Sequence, residues 1–151
     1  MTIVEYTDNK PDTVREVLKQ LPKWFGDPEG LETYATASEN ETLLVCEIDG
    51  AVAGFLSLGS NTPATAEIRS MGVLTHHHRG GIGRALVTEA EHRARATGHV
   101  FLSVKTLSSK NPDPHYAKTR AFYEAVGFLP FEEFPLLWRE DIPCLVLVKS
   151  L

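Results

Sequence analysis

A glycine-rich turn is the part of this chain whose residue types and spacing are best suited to chemistry. Gly81 and Gly83 follow the strand-like segment 66–73 and precede an apolar periodicity that predicts a helix. Glycines let the backbone approach an anion closely, and the free N–H groups and dipole at a helix start favour phosphate. The turn therefore predicts a diphosphate-binding site, with Arg79 and Arg84 at its rim.

Two common phosphate-binding motifs do not fit this turn. A P-loop requires Lys followed by Ser or Thr after the last glycine, and here Arg84 and Ala85 follow Gly83. The dinucleotide fingerprint requires a small residue where Leu86 stands, and an acidic residue about 20 positions further on, where this chain has an apolar strand. The sequence therefore argues against a nucleoside triphosphatase and against a nicotinamide or flavin enzyme.

Composition restricts the protein class further. The chain has 151 residues, 42% hydrophobic and 23% charged, which predicts one globular domain over 1–151 without a membrane span. The net charge of −5 argues against nucleic-acid binding and slightly favours a cationic substrate. The N-terminus carries no secretory pattern, so a cytoplasmic location is expected. Cys46 and Cys144 stand among apolar neighbours and are predicted to be reduced core thiols.

The elements that must position the turn follow from periodicity and turn residues. Asp49 and Gly50 predict a tight hairpin turn, and Gly98 predicts the end of the helix that follows the glycine turn. An N-terminal pair of helices is expected over about 11–39 and a core over about 42–149. The sequence predicts strands over 2–6, 43–48, 51–58, 64–74, 99–104, 129–134 and 143–148, and helices over 12–21, 29–38, 80–97 and 115–126.

Two segments resemble the signatures of one family. Residues 78–83 resemble the Gln/Arg-x-x-Gly-x-Gly/Ala acyl-coenzyme A signature of the GCN5-related N-acetyltransferases, with His78 in the first position as a departure. Residues 121–128 resemble the family's second signature, a helix that carries Tyr and ends in Gly-Phe. The resemblance implies an α/β fold with a mixed, mostly antiparallel central sheet of about six or seven strands, flanked by about four helices and split near residues 67–74.

The same resemblance implies how the cosubstrate acetyl-CoA would bind. In the family, the strand before the turn splays from its neighbour, and its backbone pairs with the pantetheine arm while the turn amides bind the diphosphate. Tyr116 stands where the family often has Asn, so the side-chain amide that would contact the coenzyme at this position is absent. The predicted coenzyme-binding residues are Met71, Gly72, Val73, His78, Arg79, Gly80, Gly81, Ile82, Gly83, Arg84 and Tyr116.

Two residues are candidates for catalysis. A primary amine near pKa 10 is protonated at neutral pH, so attack on a thioester needs a base. Glu67 resembles the glutamate base of the histone-acetylating branch, with His115, Tyr116 and Glu133 in reserve. Tyr123 resembles the tyrosine beside the coenzyme sulfur, where a hydroxyl would stabilise the departing thiolate. The structural alternatives are an ion-paired strand glutamate and a core tyrosine.

Residues for the acceptor amine are less specific. Trp24, Phe25, Glu133 and Trp138 flank segments that usually line the acceptor side, although core packing would explain each aromatic residue equally well. The acceptor, a small molecule or a protein, cannot be named from these residues. A monomer or a homodimer is expected.

The histidine run and the two cysteines offer alternatives to direct acetyl transfer. The run His76–His78 suggests a metal site, but no paired cysteines or His-Glu-x-x-His spacing accompany it, so no metal is expected. No cysteine is close to the motifs in sequence, which favours direct transfer in a ternary complex over an acetyl-enzyme. The alternative function is a coenzyme A-binding sensor or regulatory module without catalysis.

Overall fold

The computed structural model describes all 151 residues as one seven-stranded sheet with four α-helices. The predicted mixed, mostly antiparallel sheet is confirmed. The elements are β1 (Thr2–Tyr6), α1 (Lys10–Lys19), α2 (Pro28–Ala37), β2 (Thr42–Ile48), β3 (Ala51–Ser60), β4 (Thr65–Val73), α3 (Ile82–Ala96), β5 (Phe101–Leu107), α4 (Pro114–Ala125), β6 (Leu129–Arg139) and β7 (Ile142–Ser150), with short 3₁₀ turns at Ser38–Asn40 and Thr75–His77.

The strand order is β1-β2-β3-β4-β5-β7-β6, and only β4 and β5 pair in parallel. A parallel pair needs a crossover, which α3 supplies between these two strands. The other neighbours are antiparallel. Asp49 and Gly50 have φ angles of 53° and 78°, which is the primed-turn geometry expected for the β2–β3 hairpin.

The sheet opens between its two parallel strands. Residues 65–68 of β4 pair with residues 101–104 of β5, and beyond Ile68 the two strands continue without pairing. On the other side of β4, the register with β3 shifts so that Arg69 is an extra, bulged residue. A bulge bends its strand, so it lies where β4 turns away from β5. The predicted split near residues 67–74 is therefore present as a wedge-shaped cleft.

Helices cover both faces of the sheet. On one face, α3 and the end of α4 bury a cluster that includes Leu86 and Phe128. On the other face, α1 and α2 bury a second cluster that includes Leu18 and Phe55. All four side chains are almost completely buried, and each contributes about 1.5–3 kcal/mol through removal from water. The packing on both faces fixes the strands that border the cleft.

Some element boundaries differ from the prediction. β6 extends to Arg139 instead of ending at Phe134, because pairing with β7 resumes at Arg139 and Ile142 after an irregular stretch around Pro135. β5 begins at Phe101 rather than His99. No helix combines the length and apolar character that a membrane crossing requires.

Candidate functional site

Four consecutive backbone amides are free at the start of α3. The N–H groups of Gly81, Ile82, Gly83 and Arg84 donate no hydrogen bond to the backbone, and no side chain caps this helix. The helix dipole adds partial positive charge at the same place. This arrangement can bind an anion with several oxygens, which agrees with the prediction from the glycine turn.

The strand that leads to this turn offers free backbone groups along the cleft. The amide of Leu74 donates to the carbonyl of Ala53 on β3. Along an antiparallel strand every second residue directs its backbone groups to the same neighbour, so Gly72 also directs its N–H and C=O groups toward β3. By the same alternation, Met71 and Val73 direct theirs toward the open side, where β5 no longer pairs. Met71 and Val73 thus have free backbone groups at the cleft, whereas the backbone of Gly72 is used within the sheet, and contact of these residues with a coenzyme stays a prediction.

Glycine is required at these positions for different physical reasons. Gly81 has φ of 82° with nothing within 4 Å of a Cβ, so it is needed for its backbone conformation. A Cβ on Gly83 would lie 3.0 Å from the Phe122 ring, so this glycine permits close packing of α3 on α4. A Cβ on Gly72 would lie 3.0 Å from Leu21, so this glycine makes room for α1. Only Gly81 is required by the geometry of the turn itself.

The remaining turn residues surround the free amides. Gly80 donates its N–H to the carbonyl of His77 at 3.2 Å, and Arg79 has a positive φ of 67°. The side chains of Arg79 and Arg84 are on the surface. His78 donates from Nε2 to the carbonyl oxygen of Val73 at 2.7 Å. His78 therefore touches the cleft edge of β4 rather than the start of α3.

Tyr123 lies in the core on the face of the sheet that α3 covers. Its ring centroid is 5.3 Å from that of Phe122 and 5.5 Å from that of Phe128, and the residue is 7% exposed. Burial raises the pKa of the Tyr123 phenol, with smaller effects from Tyr116 and Tyr34. The hydroxyl is therefore kept protonated, as a hydrogen-bond donor must be.

Tyr116 connects α4 to the segment between α1 and α2. Its hydroxyl donates to the carbonyl of Trp24 at 2.7 Å, and burial raises its pKa to about 12. The Trp24 indole N–H lies 3.2 Å from the Thr119 hydroxyl and 3.3 Å from the His115 carbonyl. The Trp24 ring also meets the rings of His78 at 5.7 Å and His115 at 5.0 Å, edge to face. Trp24 thus bridges α4 and the glycine turn.

Glu67 is a buried carboxylate with two cationic partners. Its side chain is 6% exposed, one oxygen lies 3.1 Å from Nε of Arg69, and the other pairs with the ammonium of Lys105. Sequence reasoning missed both cations. Lys105 is the one charged residue in β5, and that contrast was the available signal. Each carboxylate oxygen thus contacts one cation and keeps a further lone pair that can accept a proton or a hydrogen bond.

Tyr34 and Cys144 lie on the same face of the sheet as Glu67. The sequence did not predict a functional role for either residue. Burial raises the pKa of Tyr34, and negative charge on Cys144 and on Glu67 would raise it further. Cys144 is fully buried on β7, and burial raises the pKa of its thiol. The expectation of no cysteine near the motifs holds along the chain but not in space, because β7 pairs with β5.

Comparisons with known proteins agree with this geometry. The family model described as acetyltransferase (GNAT) family matches residues 10–128. The chain belongs to the GNAT acetyltransferase family. It is 32% identical over 103 residues to an uncharacterized N-acetyltransferase of Chlorobaculum tepidum, covering 66% of this chain and 59% of that protein. The chain thus spans less than two thirds of that relative's length.

Solved structures share the fold over nearly the whole chain. A candidate GNAT acetyltransferase from Desulfovibrio desulfuricans superposes with a TM-score of 0.83 at 22% identity, covering 99% of this chain and 98% of that one. An aminoglycoside 6'-N-acetyltransferase in complex with coenzyme A gives 0.77 at 17% identity, covering 99% and 97%. At these identities, the likeness establishes the GNAT fold.

The predicted acceptor residues of this GNAT protein fall into two separate groups. Trp24 and Phe25 lie between α1 and α2, and the Phe25 ring meets Tyr34 edge to face at 5.9 Å. Glu133 and Trp138 lie on β6 at the edge of the sheet. Hydrogen bonds from Lys110 and then Ser108 lower the pKa of the Glu133 carboxyl. A common acceptor pocket lined by both groups stays a prediction.

The histidine run does not assemble ligands. The rings of His76 and His77 pack against each other at 4.2 Å, whereas His78 turns to Val73 and Trp24. No group of three or more His, Cys, Asp or Glu residues has the geometry to hold a metal ion. Independence from metals stays a prediction to be measured.

Proposed function

We propose that this GNAT protein transfers an acetyl group from acetyl-CoA to an amine of a small molecule or a protein, by direct attack in a ternary complex. One observation carries the proposal. The cleft between β4 and β5 ends at four free amides, so an extended arm and a diphosphate have complementary backbone partners in one line. The coenzyme A complex of a structural neighbour supports this assignment.

The donor side uses the backbone more than side chains. The amides of residues 81–84 bind the diphosphate, and Arg79 and Arg84 contribute charge from the surface. The N–H and C=O groups of Met71 and Val73 pair with the arm as an added strand would, and one amide polarises the thioester carbonyl. Gly80 and Gly72 flank these groups, although the Gly80 amide bonds within the turn and Gly72 pairs with β3.

The chemical step is a nucleophilic substitution at the thioester carbon. The neutral amine nitrogen bonds to that carbon, the carbon–sulfur bond breaks, and the amine proton passes to Glu67. The sulfur leaves as a thiolate that accepts a hydrogen bond from the Tyr123 hydroxyl. Because the pKa of Tyr123 is raised, donation of a hydrogen bond is favoured over full proton transfer.

A direct route agrees with the state of the nearest cysteine. Cys144 is fully buried, and its pKa is raised by burial, so the thiol is a poor nucleophile at neutral pH. Lys105 is half-exposed, so its ammonium can move away from Glu67 when a cationic amine arrives. The incoming ammonium would then occupy the place of the lysine and lose one proton to solvent, and Glu67 would take the second proton as the carbon–nitrogen bond forms.

The acceptor side completes the proposal. Trp24 and Phe25 between α1 and α2 form an aromatic wall with Tyr34 on α2, and Glu133 and Trp138 border the site from β6. The net charge of −5 fits a cationic acceptor. Residues 1–151 act as one cytoplasmic domain, a monomer or homodimer, with the N-terminal helices on the acceptor side.

The test combines binding and turnover. Calorimetry should show that acetyl-CoA binds, and a panel of primary amines should release free thiol from acetyl-CoA in a protein-dependent manner. Binding without turnover on any amine would favour the alternative, a coenzyme A-binding sensor. The ion pairs on Glu67 are the one observation that favours this alternative, because they explain the buried carboxylate without a catalytic role. Absence of acetyl-CoA binding would refute both functions.

A further inference from the structure

His78 contacts the cleft edge of β4 in a way that the glycine turn does not require. Its Nε2 donates to the carbonyl of Val73 at 2.7 Å. That carbonyl points away from β3, toward the side of β4 where β5 no longer pairs. The imidazole therefore occupies an acceptor that the sheet leaves available.

The position of the ring conflicts with an added strand. A strand-like ligand paired with β4 would run about 4.8 Å from it. An imidazole in hydrogen-bond contact with the Val73 carbonyl lies within that gap. The ring and an extended ligand along Met71 and Val73 are therefore alternatives for the same space.

The opposite side of His78 leads to the α1–α2 connection. Its ring centroid is 5.7 Å from that of Trp24, in an edge-to-face contact. Trp24 is in turn held to α4 through Thr119 and Tyr116. A displacement of the His78 ring therefore changes the packing of Trp24 at the aromatic wall.

We propose that His78 is a positioning residue: its ring occupies the Val73 carbonyl until the coenzyme arm takes it, and its displacement then repacks Trp24 on the acceptor side. This inference rests on the proposed function, because it assumes that the arm runs along β4. It deepens that function, since the donor would bind first and shape the wall that the acceptor meets.

The test uses Trp24 as its own reporter. The chain has two tryptophans, so Trp138→Phe leaves Trp24 as the one emitter. In this background, coenzyme A should change the Trp24 emission. Removal of the ring in His78→Ala should shift the emission of the free protein toward the bound value and reduce the response to saturating coenzyme A at least threefold.

A second measurement separates this role from phosphate binding. Pantetheine carries the arm without the diphosphate, and its affinity can be measured by calorimetric competition against coenzyme A. In His78→Ala, pantetheine should bind about threefold to tenfold tighter, as expected for removal of one competing hydrogen bond. His76→Ala is the matched control, since this exposed histidine contacts neither Val73 nor Trp24 and should match the parent.

The outcomes are distinguishable. Unchanged or weaker pantetheine binding in His78→Ala, or a full Trp24 response in that variant, would overturn the positioning role while leaving acetyl transfer intact. Failure of coenzyme A to bind the Trp138→Phe parent by calorimetry would overturn the proposed function and this inference together. His78→Gln, which keeps a polar side chain without the ring, should also reduce the Trp24 response.

Discussion

The two sides of the cleft are built from different groups. The donor side that we propose consists of main-chain amides at residues 81–84 and the open edge of β4. The acceptor side that we propose consists of side chains, chiefly Trp24, Tyr34 and the paired Glu67. A backbone site is preserved wherever the turn and strand geometry are preserved, whereas a side-chain site changes with each substitution.

The starts of α3 and α4 show the same contrast within one molecule. Asp113 caps α4, because its carboxylate accepts from the amides of His115 and Tyr116. α3 has no side-chain cap, and its first-turn amides stay free. A carboxylate cap would compete with an external anion, so the α3 start is suited to bind a ligand and the α4 start is not.

The largest loss of activity is expected from a substitution on the acceptor side. Glu67→Gln retains the shape but cannot accept a proton, so kcat should fall about 100-fold or more while acetyl-CoA affinity stays within twofold. The measurement is thiol release with the best amine of the panel. Lys105→Met is the matched control, since it removes the ion pair and keeps the carboxylate. An equal loss in both variants would assign Glu67 a structural role instead.

Substitution of Tyr123, which the proposed mechanism places at the leaving sulfur, should have the next largest effect. Tyr123→Phe should lower kcat at least tenfold with little change in coenzyme affinity, because the leaving thiolate loses its donor. Burial raises the pKa of Tyr123, so the phenol is protonated across neutral and mildly alkaline pH. The loss should therefore be the same factor from about pH 6 to pH 9. A loss that vanishes at high pH would contradict the assigned role.

The backbone geometry of the proposed donor side could be predicted from sequence because its determinants are local. The glycine turn, the Asp49–Gly50 hairpin and the Gly98 helix end depend on neighbouring residues and their φ angles. Strand periodicity then fixes which residues of β4 share a face. The sheet and its split followed from these patterns together with the family resemblance.

The acceptor side could not be predicted in the same way because its contacts are distant in sequence. Glu67 meets Lys105 through the parallel pairing of β4 and β5, and Trp24 meets Thr119 across most of the chain. Neither register nor helix placement can be derived from one sequence. The reason for Gly83, which is contact with Phe122 rather than anion binding, also required the packed structure.

A glycine substitution tests the backbone character of the donor side. Gly81→Ala places an L residue at φ of 82°, which costs about 1–2 kcal/mol. Relaxation of that strain should misalign the amides and weaken acetyl-CoA binding about tenfold by calorimetry. Gly98→Ala is the matched control at the other end of α3, with φ of 84° and equally open surroundings. It should lose similar stability on thermal melting and keep coenzyme affinity.

The smallest effect is expected from a substitution on α4, which tests whether Tyr116 belongs to the donor side or to the acceptor side. Tyr116→Phe removes the hydrogen bond to the Trp24 carbonyl, so the free energy of unfolding should fall by about 1 kcal/mol. Coenzyme affinity should change less than twofold, because the hydroxyl holds the α1–α2 connection and does not point to the diphosphate turn. Thr119→Val, which removes the other α4 partner of Trp24, should act alike. A tenfold weaker coenzyme affinity in Tyr116→Phe alone would place Tyr116 on the donor side, as the resemblance first implied.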